Sequence, residues 1–140
     1  MIKYTVAAAA VVALLAGCGL FGKSDRTNDR FARPGHPQAS PSGSYTAAAE
    51  YGPDENGVKT WIAIIRDKKS GAEVYHGTEA YSSRHGVGIT WLSTKDQLWL
   101  LSTDVGDAYV DRGHDGTWTK TQITPATVKD IPPEIAALEK

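Results

Sequence analysis

Between residue 44 and about residue 124 the chain alternates short β-branched and aromatic runs with clusters of turn formers, and apolar residues nowhere recur with a 3.6-residue period. That rhythm excludes a helical bundle, because a helix needs a sustained apolar stripe while strands need only a few alternating positions. Tyr45, Ala47, Ala49 and Tyr51 alternate along a first strand, which Gly52-Pro53-Asp54-Glu55-Asn56-Gly57 ends. Val58 to Arg66 contains Trp61, Ile62, Ala63, Ile64 and Ile65, apolar on both faces as a central strand would be. Asp67 to Gly71 turns the chain into Glu73-Val74-Tyr75-His76. Val87, Ile89 and Trp91 share a face, and Leu98 to Leu101 return after the turn Ser93 to Asp96. Ala108 and Val110 lie on one more strand, which Gly113-His114-Asp115-Gly116 joins to Thr117-Trp118-Thr119-Lys120-Thr121. The expected class is all-β: six or seven strands in a small antiparallel meander, as a sandwich or an open barrel, with a short C-terminal helix.

The N-terminus has a different character. Lys3 gives a thin positive region, Val6 to Leu15 an apolar one, and the small residues Ala16 and Gly17 precede the only cysteine, Cys18. The run is too short for a permanent span of ~20 apolar residues, and Gly17, Gly19, Gly22 and Lys23 break it. Leu15-Ala16-Gly17-Cys18 resembles a bacterial lipobox. The resemblance implies a signal peptide over 1–17 and acylation of Cys18 as the first mature residue. Two or three acyl chains would hold the protein stably on a membrane, since each buried methylene contributes ~0.8 kcal/mol. Gly19 after the cysteine implies the outer membrane in a cell with two membranes, and otherwise the outer face of the plasma membrane.

Without Lys3, 14 basic residues face 16 acidic ones, a formal charge of −2. No basic stripe is available for phosphates, which argues against nucleic acid as a partner and against a polybasic membrane patch. With Cys18 committed to lipid, no disulfide is possible and packing alone must hold the fold. Residues 18–43 carry few large apolar groups, Leu20, Phe21 and Phe31, among Gly, Ser, Arg, Asn and Pro. This composition predicts a disordered tether with an r.m.s. span of roughly 25–30 Å. The β module is expected over 44–124 and a tail over 125–140, where Glu134 to Lys140 offer a marginal helix bearing Ile135 and Leu138. That helix is expected to shield a sheet edge.

Asp67 to Val74, and Ile89 to Ser93 with Asp96 and Leu98-Trp99-Leu100, are similar to the hairpins of β-propeller blades over about 35 residues. A closed propeller needs at least four blades, so the similarity extends to hairpins and not to function. As a whole the module resembles small bacterial envelope lipoproteins of uncharacterised activity.

Three constellations carry candidate chemistry. Asp111-Arg112-Gly113-His114-Asp115-Gly116 is similar to the opening of an EF-hand loop. Gly113 and Gln122 replace acidic ligands, however, so Asp111 and Asp115 are weak metal candidates and a hairpin turn is preferred. Asp104 and Asp107 extend this acidic edge. In Tyr81-Ser82-Ser83-Arg84-His85-Gly86, Arg84 suits a carboxylate or phosphate and His85 can titrate near neutrality. No G-x-S-x-G elbow accompanies them, so binding is expected rather than catalysis. Among the tryptophans, Trp91 falls on the core face, while Trp118, set among Thr and Lys, is the expected exposed anchor. His36, His76, His85 and His114 show no metal-ligand spacing. No cofactor is expected beyond the covalent lipid at Cys18.

Together these features imply a lipid-anchored envelope protein that binds another protein or envelope component without catalysis, as an inhibitor, exclusion factor or accessory subunit. A structural or assembly lipoprotein is the alternative, and a hydrolase the third.

Overall fold

A computed structural model describes residues 29–139. The signal-like run and Cys18, with its expected acylation, lie outside the described residues. Nine strands follow in order: β1 (Gln38–Ala39), β2 (Tyr45–Tyr51), β3 (Thr60–Asp67), β4 (Glu73–His76), β5 (Tyr81–Ser82), β6 (Val87–Trp91), β7 (Gln97–Ser102), β8 (Ala108–Arg112) and β9 (Trp118–Gln122). A single α-helical turn, α1 (Pro133–Ala136), comes near the end.

The strands form two antiparallel sheets. The first runs β1-β2-β3-β4 with β5 also on β3, and the second is the meander β6-β7-β8-β9. β3 is central, as its two apolar faces require. The β2–β3 loop tightens on Asn56 and Gly57, both at positive φ, with Glu55 and Val58 exchanging backbone hydrogen bonds of 2.9 Å. This is the two-residue turn whose twist matches paired strands. The two blade-like hairpins fall in different sheets, β3–β4 in the first and β6–β7 in the second.

The sheets share one core. Ala47, Ala49, Ala63 and Ile65 of the first pack with Ile89, Leu98, Leu100 and Val110 of the second. β7 is buried along its whole length, because Trp99 and Leu101 face the other way, into a second cluster with Ile135 and Leu138. Here the tail departs from expectation. It docks on the outer face of the second sheet rather than on an edge, because two large apolar side chains there need cover. Among the described residues no helix is long and apolar enough to cross a membrane.

The expected tether also ends earlier than residue 43. Ala32 is 1% exposed and Ser40 4%. Phe31 bridges Thr90 on β6, and β1 pairs with β2. Residues 30–39 therefore stitch one sheet to the other. Composition suggested disorder because the segment lacks a core of its own; what it does is complete hydrogen bonding left open at the edges of both sheets.

Candidate functional site

The polar loop singled out from sequence joins β5 to β6. Tyr81 belongs instead to the core, 3% exposed, and its phenol is pushed well above the ordinary range by burial, with Tyr75, Glu79 and Asp107 adding to the shift. The Ser83 amide donates to the Lys59 carbonyl (3.0 Å) and the Arg84 amide to the Ser82 hydroxyl (3.3 Å). Gly86, at φ 76°, turns the chain into β6. The Thr103 hydroxyl donates to the His85 carbonyl (3.1 Å), fixing the loop against the β7–β8 turn.

His85 lines a cleft of about 1120 Å³ that wraps the free end of β6. Phe31 and Arg33 of the N-terminal strap form one wall, Leu138 and Glu139 of the tail another, and Trp61 and Leu101 contribute apolar surface. The size suits a ligand or an inserted segment, and the mixed lining offers apolar area with a few polar groups to orient it. Gly88 has a packing role here: a Cβ at that position would stand 2.9 Å from the Phe31 ring and 3.4 Å from the Leu101 Cβ. Phe31 can lie over β6 only because that side chain is missing.

Two electrostatic contacts hold the walls. Arg30 donates through Nε to the Thr90 hydroxyl (2.9 Å), and through Nη2 to the Trp91 carbonyl (2.9 Å) and to Glu134 Oε2 (3.3 Å). Glu134 Oε1 accepts from the Ser93 amide (3.0 Å) and hydroxyl (2.8 Å). Burial works to raise the Glu134 pKa, but the Ser93 and Arg30 hydrogen bonds outweigh it and hold the carboxyl below its usual range. The second contact joins Glu139 to Asp107. Their side-chain hydrogen bond, helped by burial and by repulsion from the neighbouring carboxylate, pushes Glu139 up to about 7. Asp107 Oδ1 also accepts the Ser102 amide (3.0 Å).

The candidates from sequence do not all converge. His85 faces the cleft, while Arg84 is exposed outside its lining. Trp118 is not an exposed anchor: it is 7% exposed, edge-on to Tyr45 at 4.8 Å and to Trp91 at 6.3 Å. Thr119 and Thr121 lie on the outer face of this edge strand, and the alternation that turns them outward turns Trp118 inward, with Lys120 on the same side as the indole. Asp111 Oδ2 accepts from the Gln97 side-chain Nε2 (3.0 Å), and Asp115 caps the hairpin turn by accepting the Thr117 backbone amide (3.0 Å). That last bond is the main cause holding the Asp115 carboxyl below its usual range. Among the described residues no group of three or more His, Cys, Asp or Glu side chains is placed to hold a metal ion. Sequence reasoning missed Arg30, Phe31, Trp61, Glu134 and Glu139 as site residues. Phe31, a lone large aromatic in a polar stretch, was the one legible signal.

Comparison with family models, with curated proteins and with solved structures gives no match to this chain.

Proposed function

We propose that this protein is a lipid-anchored envelope protein that acts by binding, without catalysis, and that the cleft beside His85 receives its partner. The observation that carries this reading is the construction of the cleft. Its walls come from the strap nearest the acylated end, from the β5–β6 loop and from the docked tail, and the clamp of Arg30 on Glu134 ties strap to tail. Loops and straps held by a rigid sheet are where recognition concentrates. The Ser82 hydroxyl is engaged by the Arg84 amide and makes no hydrogen bond to His85, which supports recognition over nucleophilic chemistry. Lipidation at Cys18 would place the cleft within about 40 Å of the membrane surface, the greatest reach of the intervening chain.

Two measurements test the proposal. Mass spectrometry of the native protein should find a diacylated or triacylated Cys18, and Cys18→Ala should move the protein from the membrane fraction to the soluble one. A photo-crosslinking amino acid at His85 should yield one defined adduct in intact cells, whereas the same group at exposed Val128 should yield none. An intact N-terminal Met1 with a free Cys18 thiol would remove the anchor. Equal adducts from both positions would remove the cleft.

A further inference from the structure

The two sheets present several strand edges, and most are closed. β1 and β5 are two residues long. β4 is broken by a register shift opposite Ile65 and Arg66. β6 is covered by the strap, with the Ala32 amide donating to the Ile89 carbonyl (2.7 Å). Short strands, bulges and covering segments are the usual ways of blunting an edge. β9, at the opposite edge of its sheet from the cleft, has none of them. It is five residues long, regular and free of proline, and among the described residues it pairs only with β8.

Its register shows which groups face outward. The Ile123 amide donates to the Asp107 carbonyl (2.8 Å) and the Gly113 amide to the Thr117 carbonyl (2.9 Å). With Tyr109 opposite Thr121 and Asp111 opposite Thr119, those two positions exchange the ladder bonds with β8. The N–H and C=O groups of Trp118, Lys120 and Gln122 therefore point away from the sheet, and they have no backbone partner among the described residues. β4 runs beside β9 across the corner of the sandwich without pairing to it.

We propose that the free edge of β9 is a strand-addition site that takes an extended, acidic segment of another protein. An outward row of alternating donors and acceptors is complementary to one kind of object, another extended backbone. The side chains set the sign of the partner. Lys120 is the one charged residue on β9, and its ammonium lies 5.9 Å from the centre of the Tyr81 ring. A second copy paired antiparallel about Lys120 would set lysine against lysine, whereas a segment with a carboxylate there gains an opposite-charge cross-strand pair. The same lysine thus guards against self-pairing and selects an acidic partner.

The test uses the full-length protein in detergent micelles and an end-capped heptapeptide of alternating threonine and valine with a central glutamate. Amide hydrogen exchange at Trp118 and Gln122 should slow at least tenfold in millimolar peptide, while Thr119 and Thr121, already bonded to β8, should not change. Replacing the central glutamate with lysine should weaken binding about fivefold. Lys120→Pro removes an outward N–H without touching the β8 ladder and should abolish the protection gained. Should that variant lose Thr119 and Thr121 protection, Lys120→Glu decides, because it should reverse the preference between the two peptides. No slowing at Trp118 and Gln122, equal slowing in Lys120→Pro, or an unreversed preference in Lys120→Glu would overturn the proposal. So would a concentration-dependent dimer that Lys120→Pro abolishes, which would assign the edge to a second copy.

Discussion

Truncating Trp118 separates a packing role from a docking role cleanly. The indole is 7% exposed and meets Tyr45 and Trp91 edge to face, so Trp118→Ala removes a large apolar area and leaves a cavity between the sheets. Core Trp→Ala substitutions cost about 3–5 kcal/mol, of which each aromatic pair accounts for about 0.5–1.5 kcal/mol. A domain of this size holds only about 5–15 kcal/mol in all, so the variant should lose a large fraction of its stability. In urea, with a slope of about 2 kcal/mol/M, the midpoint should fall by roughly 2 M. The melting temperature should fall by about 15 °C or more. Far-ultraviolet circular dichroism gives the midpoint, and the three remaining tryptophans report the same transition by fluorescence. Trp118→Phe, which keeps an aromatic ring, should recover most of the loss. In a double-mutant cycle with Tyr45→Ala the two costs should fall short of additive by about 0.5–1.5 kcal/mol. A midpoint for Trp118→Ala within about 0.5 kcal/mol of the parent would match an exposed site and refute the packing assignment.

Three further outcomes are expected. Removing residues 29–43 should destabilise the body by about 3 kcal/mol or more in urea unfolding, since it takes away buried Ala32, β1, the Arg30 clamp and the Gln38 carbonyl that accepts the Trp91 indole N–H (2.9 Å); a shift under about 0.5 kcal/mol would restore the tether reading. Glu134, held below its usual carboxylate range, contributes stability present above pH ~4.5 and lost as the pH falls through its lowered value; Glu134→Gln should flatten that acid limb by about 1 kcal/mol in melting curves taken from pH 3 to 6. Glu139 has the opposite sign: raised to about 7, it favours the folded state below pH ~4.5 and loses that contribution as the pH climbs to about 7. Amide exchange in the tail should therefore quicken between pH 5 and 8 beyond the intrinsic rate, and Glu139→Gln should remove the excess.

The order of strands and turns was legible from residues 44 to 124 because it is written locally. β2 and β4 match the expected runs, and the β6–β7 and β8–β9 hairpins close on the turn residues anticipated for them. The site was less legible, since only His85 of the proposed binding residues reaches the cleft. Its other walls, Phe31 and Glu139, come from segments read as tether and tail. Which side of an edge strand is buried cannot be taken from polar neighbours alone, because alternation puts Trp118 and Thr119 on opposite faces.

By itself, then, the sequence determined an all-β body, since period-two apolar runs between turn formers fit nothing else. It also determined that no disulfide can form within these 140 residues, whose one thiol is Cys18. Tertiary structure alone decided which strands share a sheet, that residues 30–39 stitch the two sheets together, and that the tail covers Trp99 and Leu101. The physical reason is that turn chemistry and alternation act between near neighbours, whereas the strap and tail find their places only by satisfying backbone groups and apolar area left open by strands far away in the chain.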